Sequence, residues 1–130
     1  MLSTELADLK AHMAENPGAV IEDVARQRKV TPRTVLEAMP AAMVRIGRGY
    51  FNLMQPKGLH GHLRHERCAA IAFVERPFMG KSSAFIAFIN VDGGIMFKVF
   101  VGRDEARALR ADQLQRFHAL ADRIAPAGTA

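Results

Sequence analysis

The sequence has one cysteine and no long apolar run, and each scarcity excludes a class of protein. Cys68 is the single cysteine of the 130 residues, so the sequence provides neither an internal disulfide nor a CxxC metal site. Such cysteine use fits a reducing compartment. No apolar run approaches the roughly 20 residues of a membrane span, and the mixed, charged residues 1–18 do not resemble a signal peptide. We therefore expect a cytoplasmic protein that makes no membrane contact.

The composition and length indicate one ordinary globular domain. The chain is 49% hydrophobic and 24% charged, which is typical of neither a disordered nor a fibrous protein. A chain of this size buries roughly two-thirds of its unfolded surface, enough for a core without disulfides. We expect a single compact domain in which a helical unit, residues 1–40, precedes an antiparallel sheet with C-terminal helices, residues 41–130.

The positive charge of the chain is concentrated in its middle third. The formal net charge is +5, and residues 1–40, 41–90 and 91–130 contribute −1, +5 and +1. The middle third also contains Tyr50 and three of the five histidines. A local positive field attracts anions. We expect an anionic partner there: a phosphate, a carboxylate-bearing ligand or another protein.

Three short helices are predicted in residues 1–40. Apolar residues recur at helical spacing over 3–15 and 19–28, and the intervening Asn-Pro-Gly triplet ends the first helix. Thr31 as N-cap and Pro32 at the first helical position begin a third helix, which Pro40 ends. The residues expected to face inward are Leu6, Leu9, Met13, Val20, Ile21, Val24, Ala25, Val35, Leu36 and Met39.

A β-sheet is predicted to follow. Strands are expected over 50–53, 59–64, 68–75, 83–90 and 94–101, with a loop at 77–81. Residues 41–48 are interpreted as a direct connection. A Val-Asp-Gly turn joins the last two strands as a hairpin. Both faces of the last strand are apolar, with Phe97, Val99 and Val101 on one and Met96 and Phe100 on the other. Such a sheet needs cover on two sides, by the C-terminal helices and by the helical unit, a ligand or a second chain.

One or two helices are expected after the sheet. Asp104 is a plausible N-cap for a helix from residue 105, which would break near Ala111 and restart after Asp112. Apolar residues then recur at the spacing of an amphipathic helix: Leu114, Phe117, Leu120, Ala121 and Ile124. The resulting class is α+β: a small three-helix unit, an antiparallel sheet, and C-terminal helices packed on it.

Three clustered histidines are the sharpest chemical feature. On a strand, His60 and His62 would point to the same side, with Cα atoms about 6.5–7 Å apart. Such a pair can bind one transition metal from one side, but it cannot hold an iron from two opposite directions. A haem would therefore take one of them and find any second axial ligand elsewhere. The alternative, in which these histidines and His65 are merely solvated or hydrogen-bonded, stays open.

Other reactive side chains have simpler interpretations. Tyr50, the single tyrosine, can ligate haem iron as tyrosinate or serve as a half-buried strand aromatic. Cys68 is expected to fill core at the start of a strand. Glu75 and Arg76 are interpreted as an exposed ion pair at a strand end. No arrangement of nucleophile, base and carboxylate can be proposed, so no catalytic residue is predicted.

A nucleic-acid interpretation is weaker. Residues 25–35 resemble the second and third helices of a helix-turn-helix. However, residues 1–40 have a net charge of −1, whereas phosphate binding needs a basic surface. The candidate recognition helix is also only about two turns long and carries Glu37. We expect this unit to cap the sheet or to contact a partner.

Several motifs together resemble the haem-utilisation carrier family, of the HutX/ChuX type. They are residues 49–53 (GYFNL), 61–64 (GHLR), 72–81 (AFVERPFMGK), 88–93 (FINVDG) and 96–104 (MFKVFVGRD). The resemblance is strong from 49 to about 121 and extends over the helical unit at 17–40. It implies a cytoplasmic, non-enzymatic protein of bacterial haem uptake, a homodimer formed through its sheet. Such a protein reversibly binds b-type haem, carries or buffers it, and passes it to a haem-degrading enzyme.

The resemblance also implies a haem site. His62 matches a position where the family has a histidine suspected of binding iron, and Tyr50 matches one where some members use tyrosine. His60 and His65 are secondary candidates. Arg64 or Lys98 would pair with the propionates. Iron would thus be bound by His62 or Tyr50.

One departure from the family separates two hypotheses. Family members usually carry further strands, with another candidate histidine ligand, between the helical unit and residue 49. Here residues 41–48 join the two parts directly, so the chain resembles a shortened member. The alternative to a haem carrier is a dimeric interaction module that lost haem binding with those strands.

Overall fold

The computed structural model of the chain describes residues 3–47 and 68–126. The helices in these ranges are α1 (Ser3–Glu15), α2 (Ile21–Arg28), α3 (Pro32–Ala38) and α4 (Ala111–Ile124). The strands are β1 (Val44–Gly47), β2 (Cys68–Phe78), β3 (Lys81–Asn90) and β4 (Ile95–Phe100). This order of three helices, a sheet and a helix confirms the predicted α+β class. None of the described helices is long and apolar enough to cross a bilayer.

The four described strands form an antiparallel sheet in the order β1-β2-β3-β4. Strand β2 pairs with β3 from Cys68 opposite Asn90 to Phe78 opposite Lys81. Met79 and Gly80, with φ of 53° and 79°, form the two-residue turn between them, and positive φ at both central residues suits a tight hairpin. The prediction of a loop over residues 77–81 is therefore wrong, because the turn needs only two residues and strand β2 continues to Phe78.

Each face of the sheet packs against helices of the same chain. Because side chains alternate along a strand, Ala70, Ala72 and Val74 of β2 face helices α1, α2 and α3. Ile71 and Phe73 point the other way, toward α4. The predicted need for cover on both sides is confirmed. The helical unit supplies one cover and the C-terminal helix the other.

The helical unit follows its sequence signals closely. The Thr31 side chain accepts a hydrogen bond from the backbone N–H of Thr34 at 3.2 Å, with Pro32 in the first turn of α3. Nine of the ten residues expected to face inward are buried or half-buried. The exception is Val20, which is exposed because it is the N-cap of α2 and so lies before its first turn.

The segment after β4 differs from its prediction. The Asp104 carboxylate accepts hydrogen bonds from the backbone N–H groups of Ala106 and Ala108, at 2.9 and 3.0 Å. These bonds close a turn between Arg103 and Leu109, which pair as an isolated bridge. The helix predicted from residue 105 is therefore wrong: Asp104 caps a turn, and one helix begins at Ala111.

Two details of the sheet also depart from the sequence analysis. Residues 44–47, interpreted as part of a direct connection, form the short strand β1 against β2. Met96 packs with the α4 side of the sheet rather than with Phe100, because the register of β3 and β4 shifts between Phe88 and Ile89 and places it in a bulge. The strands predicted over 50–53 and 59–64 lie outside the described residues.

Candidate functional site

Most of the predicted site residues belong to the segment between β1 and β2. Tyr50, His60, His62, Arg64 and His65 all fall in residues 48–67, outside the described residues. Their assignment as haem contacts stays a prediction. The structure does place the two ends of that segment and the remaining predicted residue, Lys98.

Both ends of the segment lie at the same end of the sheet. Gly47, the last residue of β1, pairs with Ile71, and β2 begins three residues earlier at Cys68. Cys68 is only 3% exposed, and burial raises the pKa of its thiol. Its neutral thiol therefore packs in the core at the start of a strand, as predicted.

Lys98 lies at the opposite edge of the described sheet. It pairs with Ala87, which pairs with Ala72, which pairs with Ile46 next to the end of β1. Three strand spacings separate Ile46 from Lys98, a distance of about 14 Å. Ala72 and Ala87, which lie between them, are fully buried under the helical unit, so a ligand cannot lie along this row and contact both ends.

Lys98 already has an anionic partner. Its Nζ lies 2.7 Å from Oε1 of Glu22 on α2 and 5.2 Å from the centroid of the Phe85 ring. Burial opposes ionisation of Glu22, but the hydrogen bond and charge of Lys98 and the charge of Arg76 outweigh it, so the pKa of Glu22 is lowered. An incoming carboxylate must compete with Glu22 for this lysine.

Arg76 is buried against the turn between α1 and α2. Its Nη1 donates hydrogen bonds to the carbonyl oxygens of Pro17, at 3.3 Å, and Ala19. Its guanidinium lies over the ring of Phe78, 5.0 Å from the centroid. Burial lowers the pKa of Arg76, and the charge of Glu22 partly offsets that effect. Arg76 thus anchors the helical unit to the sheet.

The exposed ion pair predicted between Glu75 and Arg76 is wrong. Neighbouring strand residues point to opposite faces, so Glu75 projects toward α4 while Arg76 projects toward the helical unit. There, Glu75 Oε1 lies 2.7 Å from Nε2 of His118, and both side chains are partly exposed. Sequence analysis missed His118, which gave no signal beyond its place on the polar side of an amphipathic helix.

An apolar groove lies beside this helix. The α4–β4 groove has a volume of about 210 Å³. It is lined by Ile86, Val99, Phe100, Val101, Phe117, Leu120, Gln113 and Arg116. Phe100 is 60% exposed. Among the described residues, this apolar groove has one cation in its lining, Arg116, which sequence analysis also missed.

The described residues gather no metal-ligand cluster. Within residues 3–47 and 68–126, no three residues among His, Cys, Asp and Glu come together in a way that could hold a metal ion. His62 and Tyr50 as iron ligands stay predictions.

The start of α3 is occupied by the sheet, which argues against DNA binding. The backbone N–H of Arg33 donates to the carbonyl oxygen of Gly93 at 2.9 Å. Gly93 lies so close to Thr31 that a methyl group there would meet the threonine side chain at 2.7 Å. A recognition helix reads bases with its N-terminal residues, and here the β3–β4 turn covers them.

Comparison with protein families identifies the chain. The family model for haem utilisation ChuX/HutX matches residues 4–120. Because this match covers most of the sequence, the chain belongs to the haem utilisation ChuX/HutX family. The family expected from the motifs is confirmed.

A curated relative matches a shorter region of this chain than the family model does. The intracellular heme transport protein HutX of Vibrio cholerae is 44% identical over 77 residues, which are 58% of this chain and 40% of that protein. The match thus spans well under two thirds of the relative.

Solved structures share the fold. A protein from Erwinia carotovora superposes with a TM-score of 0.78 at 30% identity, covering 89% of this chain and 98% of that one. A ChuX crystal structure gives 0.75 at 27% identity, covering 88% and 96%. A second, of the heme binding protein ChuX, gives 0.69 at 28% identity, covering 88% and 97%.

Proposed function

We propose that this member of the haem utilisation ChuX/HutX family reversibly binds b-type haem and carries or buffers it inside the cell. The observation that carries the proposal is the family match over residues 4–120, which includes every residue predicted to contact haem. The Vibrio cholerae relative is named an intracellular heme transport protein, and ChuX a heme binding protein. The role is that of a carrier and not of an enzyme, and it ends when haem passes to a haem-degrading enzyme.

The iron ligand in this proposal is His62 or Tyr50, with His60 and His65 as secondary candidates. Neutral imidazole and tyrosinate both ligate haem iron. Residues 48–67 contain four basic residues against one acidic residue. A basic segment suits a cargo that carries two carboxylates.

The described residues supply two candidate surfaces for the rest of a porphyrin, one on each face of the sheet. The α4–β4 groove is apolar, and Arg116 adds a cation at its lining. Lys98 is a second cation, after Arg116, that is available for a propionate. Arg64, in residues 48–67, is a third candidate. Because Lys98 is held by Glu22, its contribution depends on how readily that pair opens.

The direct test is a haemin titration of the purified chain, followed by absorption. The variants are His62→Ala and Tyr50→Phe. We expect a saturable Soret shift at equimolar haem that one of the two substitutions abolishes, because removing the axial ligand changes the iron coordination. His118→Ala is the matched control, since this histidine is engaged by Glu75 and lies outside the proposed ligand set.

A spectrum matching free haemin at every ratio, in a chain that still folds, would overturn haem binding. A shift that survives both substitutions would move the ligand to His60 or His65.

The second candidate function is a dimeric interaction module that no longer binds haem. Phe100 and Val99, 60% and 41% exposed, lie on β4, which is an edge strand of the described sheet. An apolar edge strand is a template for pairing with another chain. We propose that this edge forms the homodimer in either case, so dimerisation without a haem spectrum would favour the module.

A further inference from the structure

A basic cavity lies at the end of the sheet opposite to Gly47 and Cys68. Its volume is about 440 Å³, and it lies between the β2–β3 turn and the turn that follows β4. It is lined by the cations Lys81, Arg103 and Arg107, by Glu75 and Ser82, and by apolar side chains. Glu75 is seven residues along β2 from Cys68, a distance of about 23 Å. The cavity is therefore remote from the ends of the segment that carries the proposed iron ligands.

Arg103 is held in a fixed orientation at this cavity. Its Nη1 donates to the carbonyl oxygen of Arg107 at 2.9 Å, and its Nη2 donates to that of Ser82 at 2.7 Å. A guanidinium has five N–H donors, so donors remain after these two bonds. A planar donor that is already oriented loses little freedom when it binds a carboxylate or a phosphate.

Arg107 adopts a backbone conformation that favours glycine. Its φ is 65°, and its N–H donates to the carbonyl oxygen of Asp104 at 2.9 Å. A non-glycine residue in this region costs conformational energy, and such residues are concentrated at ligand-binding sites. Here the turn keeps an arginine at the cavity where glycine would relieve the strain.

The three cations of the cavity form no ion pair within the described residues, although Glu75 lines the cavity and Glu105 lies in the same turn. Among the ion pairs of the described residues, none includes Lys81, Arg103 or Arg107. Glu75 is the one acidic residue that the described part of the chain contributes to the lining, and its Oε1 lies 2.7 Å from Nε2 of His118. Asp104, although adjacent in sequence, directs its carboxylate to backbone N–H groups within its turn.

We propose that this cavity binds a small organic anion in which a carboxylate or phosphate group is joined to an apolar body. Lys81, Arg103 and Arg107 would bind the anionic group. The apolar side chains Ala106, Leu109 and Leu114 would contact the body of the ligand. This site is separate from the proposed haem site and gives the protein a second, independent ligand.

The test is a calorimetric titration of the full chain, without haem, with benzoate and with phenyl phosphate. These probes share an apolar body and differ in the anionic group. We expect saturable binding of at least one probe. The probe that binds more tightly identifies the preferred anionic group. Arg107→Gly removes the guanidinium and relieves the backbone, and Arg103→Gln removes the fixed donor. Each should weaken binding about tenfold, since charged hydrogen bonds are lost.

Lys10→Gln is the matched control, because it removes one positive charge from the exposed surface of α1. Equal weakening in Lys10→Gln, or no saturation by either probe at millimolar concentration, would overturn the proposal. Haemin titration of Arg107→Gly separates this site from the carrier function. An unchanged Soret titration supports two sites, whereas loss of haem binding would assign the cavity to haem and overturn the separate site.

Discussion

Lys98 Nζ lies 2.7 Å from Glu22 Oε1 and so joins strand β4 to helix α2 above the ring of Phe85. The two side chains are 23% and 35% exposed, which makes this the least exposed of the acid–base pairs in the described residues. The pair fastens the helical unit to one edge of the sheet. It also occupies a lysine that the sequence analysis assigned to a propionate. Both consequences can be measured.

Glu22→Gln should strengthen haem binding if Lys98 pairs with a propionate. The substitution removes the competing carboxylate and leaves the lysine free, a gain of roughly fivefold for a partly exposed charge pair. Lys98→Gln should weaken haem binding by a similar factor. Haemin titration measures both, with Lys10→Gln as a control for the loss of a positive charge. Unchanged affinity in Glu22→Gln would leave Arg64 or Arg116 as the propionate partner.

The same pair predicts a loss of stability in acid. The lowered pKa of Glu22 means that the folded state favours the ionised carboxyl. Its contribution is complete above the ordinary glutamate pKa of about 4.3 and is lost as the pH falls through the lower folded value. Urea unfolding should show Glu22→Gln less stable than the natural chain at pH 7, with a difference that shrinks as the pH falls below about 4.3. Glu105→Gln, which removes a carboxylate from an exposed turn, is the matched control.

Arg76→Ala should destabilise the chain by about 2 kcal/mol or more. The substitution deprives the carbonyl oxygens of Pro17 and Ala19 of their donor, and an unsatisfied buried polar group costs about 1–3 kcal/mol. It also removes a side chain that is 6% exposed. Chemical denaturation checks the value. Arg26→Ala, which breaks a solvent-exposed pair with Asp23, should change stability by less than about 1 kcal/mol.

Phe100→Glu should convert the proposed dimer into a monomer. A carboxylate on the exposed edge strand opposes its pairing with a second copy, because it would have to be desolvated in an apolar contact. Light scattering across a concentration series measures the change, and circular dichroism confirms that the fold persists. Val91→Glu is the control, since Val91 is 53% exposed at the β3–β4 turn. A Phe100→Glu chain that stays dimeric would exclude this edge.

The sequence predicted helices and buried strands well because their signals are local. The spacing of Leu9 and Met13, the cap at Thr31 and the apolar runs of β2 and β3 each specify an element without reference to distant residues. The resemblance of the motifs also predicted the family correctly. The same signals failed at Asp104, because its side chain can cap a helix or close a turn, and the choice depends on where the next residues pack.

The candidate site was predictable only in part, for the same physical reason. The types of residue that bind haem are visible in the sequence, and His62 and Tyr50 are named from it. That Lys98 is engaged by Glu22, and that His118 engages Glu75, depends on pairs 76 and 43 residues apart in the chain. No local pattern contains those distances.

Composition, periodicity and motifs are properties of neighbouring residues, so the amino-acid sequence was enough to predict the class of the fold, the family and the set of candidate haem contacts. The tertiary structure decided which charges are engaged and which are free. It placed Arg76 in the core, turned Glu75 away from it, and brought Lys81 to the two arginines of a turn that follows another strand. Strand alternation and sheet register set these positions, and they exist only once the chain has folded.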